Sequence, residues 1–156
     1  MTRACFSRMI IMGSMLLLQT SMTKASGWHD YTEASPAAVR AQTSRLAVSE
    51  NKTDRLLAAE LLGRFPLYFS SETYLSLVTQ LVSDANSVVR EQALSALFDV
   101  ADGGLPTESR EQQIKLLRNL EDFLKSIRSK PDYDIETIDT LLGRIGANSL
   151  FRKPVK

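Results

Sequence analysis

Thiol chemistry is the first thing this sequence excludes. Its 156 residues hold one cysteine, Cys5, near the start of the chain. No disulfide framework can form within the chain, and the long remainder has no thiol for catalysis. Histidine is as scarce. His29 stands alone beside Trp28, with no cysteine or second histidine near it, so a metal site is not expected and the imidazole reads as terminal or as packing on the first helix. Glycine-rich phosphate loops are missing. Aromatic residues make up only 7%, and the few prolines and glycines fall between apolar runs, which favours helices over strands and turns. Strong charge is missing too. The formal net charge is +1, and it is −2 once residues 1–25 are set aside, so there is no basic stripe for nucleic acid. Acidic pairs do occur, at Glu121 and Asp122, Asp132 and Asp134, and Glu136 and Asp139. Their pattern places them on exposed helix faces and loops, whereas acid–base work needs carboxylates in a cleft with separated pKa values. No catalytic residue and no cofactor is expected. What the chain has is apolar content, 44% of residues, enough for the core of one domain.

The first 25 residues have the layout of an export signal. Arg3 and Arg8 form a basic head, Met9 to Leu18 is an apolar run, and a polar stretch leads to Thr23 and Ala25, small residues placed for cleavage after Ala25. The run is too short for a membrane span, which takes roughly 20 apolar residues, so no membrane insertion is expected after cleavage. The expected destination is secreted or periplasmic. A mitochondrial presequence and an uncleaved anchor are the alternatives; the stretch is also basic, acid-free and serine-rich, but its compact apolar block fits an export signal better than an amphipathic presequence. Residues 26–34 then form a short N-terminal segment.

Helical signals fill residues 35–146, and a basic tail occupies 147–156. Ser35-Pro36 opens the first helix as a serine cap followed by proline at the first helical position. The first helix runs to about Val48, and a second from Thr53 or Asp54 to Phe65, closed by Pro66. A third begins at Ser70 or Ser71. After the polar turn 83–87, one continuous helix is expected from Val88 to Ala101, stopped by Gly103 and Gly104. The next spans Thr107 to about Ser129, and the last carries Ile135, Ile138, Leu141, Leu142 and Ile145 at helical spacing and ends at Gly146. Asn51-Lys52-Thr53 has the form of a glycosylation acceptor in a turn, a triplet common by chance.

The helices pair, and the pairs repeat. Arg55-x-x-Ala58-x-x-x-Leu62 recurs as Arg90-x-x-Ala93-x-x-x-Leu97 at an offset of 35, and Leu61-Leu62-Gly63-Arg64 recurs at Leu141 to Arg144. Two helices per unit at this period indicate a helical solenoid. At this point the chain resembles the HEAT-like helical repeat family. Residues 71–101 carry the resemblance, through Asp84 in the turn, Val88, Val89 and Arg90, then Ala93, Ala96 and Leu97. The first pair has Ser49 in place of the turn aspartate but keeps Arg55; the third has Ile138 where the arginine falls. The resemblance implies an all-α fold, a short α-solenoid of about three antiparallel helix pairs. It also implies that Asp84 and Arg90 are structural, joining neighbouring units in a ladder, and that the second helices form a concave contact surface.

That surface supplies the candidate binding residues. Aligning Leu62, Leu97 and Leu142 puts Glu60, Ser95 and Thr140 in one row, Arg64, Asp99 and Arg144 in another, and Gly63, Phe98 and Gly143 in a third. Phe98 is an aromatic where its neighbours have glycine, so it is either a contact hot spot or a wedge between units. The expected function is an exported protein-binding or scaffold module (an adaptor, an inhibitor or immunity-type protein, or an assembly factor) whose partner is another protein. The alternatives are a small helical hydrolase or lyase, or a mitochondrial assembly factor.

Overall fold

The computed structural model describes residues 34–105 and 108–151, and every regular element among them is helical. The expected leader, the segment 26–33 with Trp28 and His29, the helix start at Thr107 and the tail beyond Phe151 lie outside the described residues. Seven α-helices follow one another among the described residues: α1 Pro36–Ala47, α2 Lys52–Arg64, α3 Ser71–Val82, α4 Ser87–Ser95, α5 Leu97–Gly103, α6 Arg110–Ile127 and α7 Ile135–Ala147. Short 3-10 turns occupy Pro66–Tyr68 and Ser149–Phe151.

Side-chain caps set the helix starts. Each cap accepts a hydrogen bond from a backbone N–H that has no partner inside the helix. Ser35 caps α1, Asn51 caps α2, Ser70 caps α3, Asn86 caps α4 and Asp134 caps α7. Ser109 and Gln112 form a reciprocal capping box on α6. These caps move three starts away from the expected residues, Asn86 drawing the beginning of α4 back from Val88 to Ser87. Asn51 draws the beginning of α2 back to Lys52, and Ser109 holds the beginning of α6 at Arg110. Glu108, expected in the first turn of that helix, lies before it instead. Its Oε1 accepts from the Ser71 N–H at 2.9 Å, which places a carboxylate at the positive end of α3.

Two further boundaries differ from expectation. The helix expected over 88–101 is interrupted at Ala96, which separates α4 from α5. The last helix runs one residue past Gly146, to Ala147, where Asn148 closes it. Asn148 is buried, and its Nδ2 donates to the carbonyls of Ala101 and Asp102 at 2.8 and 3.0 Å. One side chain from the end of α7 thereby satisfies the open carbonyls at the end of α5.

The helices pack in two rows. In one, α1 lies against α3 and α3 against α6; in the other, α2 lies against α4 and α5 against α7. Between the rows α1 packs on α2, α3 on α4 and α6 on α7. Apolar residues at helical spacing fill the space between: Leu61 and Leu62 from α2, Val78 and Leu81 from α3, Leu97 and Val100 from α5, Leu117 and Leu120 from α6, Ile138 and Leu141 from α7. Each such side chain contributes about 1.5–3 kcal/mol by leaving water. The approach of α2 to the α4–α5 junction depends on Gly63. A β-carbon there would lie 3.2 Å from the Ala96 Cβ, closer than side chains normally sit.

Candidate partner-binding face

Two arginines fix how neighbouring helix pairs meet. Near the start of α2, Arg55 turns back and donates through Nη1 to the carbonyls of Ser49 and Glu50, at 2.8 and 2.9 Å. Its Nε and Nη2 reach the next turn and hold both oxygens of Asp84, at 2.6 and 3.2 Å. Arg90 repeats the first half of this grip in α4, donating to the carbonyls of Asp84 and Ala85 at 2.9 and 3.0 Å. Each guanidinium thus takes the carbonyls six and five residues before it, so the two arginines make the same local contact. Beyond its own turn Arg90 meets backbone and a ring. Its Nη2 donates to the Asp132 carbonyl at 3.1 Å, and the guanidinium lies over the Tyr133 ring, 5.4 Å from its centre. The Asp84 carboxylate therefore binds Arg55, while Arg90 takes the Asp84 carbonyl. Burial works to raise the Asp84 pKa, but the Arg55 hydrogen bond, the Asn86 N–H and the charges of Arg55 and Arg90 outweigh it and hold the carboxyl below its usual range. In α7, Ile138 occupies the position of these arginines and is fully buried as a core residue.

The second row of helices carries the five candidate contact residues. Phe98 is half-buried on α5. The Arg144 guanidinium of α7 stacks over its ring at 4.9 Å, within the range of a cation–π contact. Arg144 also donates to the carboxylate of Asp102. Phe98 and Asp102 are four residues apart, one helical turn, so they reach Arg144 from the same side of α5. Asp102 is a member of this face that the repeat pattern does not single out, because in sequence it reads as part of the glycine stop. Its four-residue spacing from Phe98 is the signal that could have found it. The alignment by leucines puts Arg144 in a row with Asp99; the structure seats it on Phe98, one residue earlier.

Glu60, Arg64 and Asp99 stay outside this cluster. Arg64 and Asp99 are exposed, and the Arg64 guanidinium lies 6.0 Å from the ring centre of its neighbour Phe65. Glu60 is half-buried on α2, and burial raises the pKa of its carboxyl. Gly63 faces Ala96, whereas Gly143 has open space where a side chain would stand. Among the described residues, no group of three or more His, Cys, Asp or Glu side chains is placed to hold a metal ion, and no helix is long and apolar enough to cross a membrane. The face offers an aromatic surface with a stacked cation, flanked by further charges of both signs. Such a surface can bury against a partner; the cluster itself holds an aromatic, a guanidinium and a carboxylate, which do not form a nucleophile–base pair. Comparison of the chain with protein-family models, with curated proteins and with solved structures finds no match in any of the three.

Proposed function

We propose that this chain is an exported protein-binding module, a HEAT-like array of three helix pairs that meets its partner through the second-helix face. The observation that carries this reading is the Phe98–Arg144–Asp102 cluster. A half-buried aromatic, held in place and surrounded by polar groups, is the kind of anchor that dominates binding energy at interfaces. The matched arginine grips at Arg55 and Arg90 support the repeat architecture, because a local geometry used twice is what a duplicated unit produces.

The test begins with capture of the partner by the domain starting at Ser26, from the export compartment of the source organism. The captured protein is then purified and titrated against variants. Phe98→Ala should weaken affinity by roughly 30-fold or more, equivalent to about 2 kcal/mol. Arg64→Ala should act mainly on the association rate and its salt dependence. A folded Phe98→Ala, Arg64→Ala, Arg144→Ala triple variant that binds like wild type would remove this face from the interaction. Export has its own measurement. N-terminal sequencing of the product outside the cytoplasm should begin near Ser26, and an intact Met1 on a cytoplasmic product would contradict it.

A further inference from the structure

The break at Ala96 has no local cause. The stretch from Ser87 to Ala101 contains neither proline nor glycine, and its apolar spacing is that of one helix. Helix breaks without such residues arise where a side chain inserts into the backbone hydrogen-bond ladder. Here the inserting group comes from 22 residues away. Tyr74 of α3 is fully buried, and its hydroxyl donates to the Ala96 carbonyl at 2.8 Å. The same turn is also met by α2, with Gly63 against Ala96. Immediately beyond the turn stand Phe98 and Asp102, the two residues that receive Arg144.

We infer that Tyr74 is the positioning residue of the contact face: its hydroxyl holds the Ala96 carbonyl out of the helix, and the resulting direction of α5 seats Phe98 and Asp102 against Arg144. A phenol in the core thereby prepares the surface that meets the partner. Preorganisation of this kind lowers the cost of ordering an interface on binding. The inference rests on the binding-face reading only for its consequence. The geometry itself is tested without a partner.

The full chain is compared with Tyr74→Phe, which removes the hydroxyl and keeps the ring. The reporter is the ring-current shift that Phe98 imposes on the Arg144 side-chain protons, assigned by its loss in Phe98→Leu. In Tyr74→Phe this shift should fall most of the way to the Phe98→Leu value. In Val78→Ala, a core truncation on the same helix, it should stay at the wild-type value although the protein is also destabilised. An Arg144 shift unchanged in folded Tyr74→Phe overturns the inference, as does an equal loss in Val78→Ala. If Tyr74→Phe does not fold in buffer, the chains are compared in trimethylamine N-oxide, an excluded osmolyte that favours the folded state. There too an Arg144 shift unchanged in Tyr74→Phe overturns the inference. None of these outcomes depends on whether the face binds a protein, so failure here is distinguishable from failure of the binding reading.

Discussion

Asp84→Ala should lower the unfolding free energy by about 2–3 kcal/mol, the range for losing hydrogen bonds to a charged group. The side chain is nearly buried, with 8% of its surface exposed, and it accepts from Arg55 twice and from the Asn86 N–H at 2.8 Å. The loss should not reach the larger values of a fully stranded charge, because Arg55 keeps the Ser49 and Glu50 carbonyls. For a domain of this size the fall in melting temperature should be roughly 10 °C. Asp84→Asn should cost less, since an amide oxygen can still accept one of these bonds. A double-mutant cycle with Arg55→Ala isolates the pair; additive single effects would show that the two side chains do not stabilise one another.

The same contact sets an acid dependence. The folded-state pKa of Asp84 is depressed, so its contribution is fully present above the ordinary carboxylate range, about pH 4, and is lost as pH falls through the folded value. Asp134 and Asp139 are also depressed, by the Thr137 hydroxyl and by Arg128 respectively. The informative quantity is therefore the difference in stability between wild type and Asp84→Ala. That difference should be constant near neutrality and should shrink below about pH 4. A difference that stays constant down to about pH 2 would mean that Asp84 titrates alike in the folded and unfolded states.

Two adjacent glycines should respond in opposite directions. Gly104 has φ 66° and ψ −154°, a conformation open almost only to glycine. A β-carbon there would also fall 2.8 Å from Oε1 of Gln113, the buried amide whose Nε2 holds the Glu108 carbonyl. Gly104→Ala should therefore cost about 3 kcal/mol, most of it backbone strain. Gly103 ends α5 with open space around it. Gly103→Ala should be neutral or stabilising by up to about 1 kcal/mol, through a smaller loss of chain entropy. Equal melting temperatures for the two variants would contradict the strain assigned to Gly104.

The two glycines also illustrate how far the sequence can be read. Asp102-Gly103-Gly104 announces a helix end, because glycine is the usual residue where a chain leaves a helix. Which glycine must be a glycine depends on which of the two takes the positive φ, here Gly104, and the doublet alone does not say. Caps such as Ser35 and the helical identity of each long segment are legible, since both rest on neighbours within a turn. The equivalence of Arg55 and Arg90 is legible from their offset, because each grips carbonyls close behind it. The interruption at Ala96 is not legible, because the Tyr74 hydroxyl arrives from another helix. Candidate contact residues divide in the same way. Phe98 and Arg144 stand out as an odd aromatic and a repeated arginine, but the leucine alignment places them in different rows.

The two arginine grips close different seams of the molecule. Between the first and second pairs the closure is ionic, Arg55 on the Asp84 carboxylate. Between the second and third it is made largely on backbone, Arg90 on the Asp132 carbonyl and the Tyr133 hydroxyl on the Val82 carbonyl at 3.1 Å, with the exposed Arg144–Asp102 ion pair beside them. A carbonyl has no proton to gain in acid, so the Arg90 grip keeps its acceptor at a pH where the Arg55 grip loses its charge. The two arginines, alike in sequence, thus respond differently to acid: one releases its partner and the other holds it.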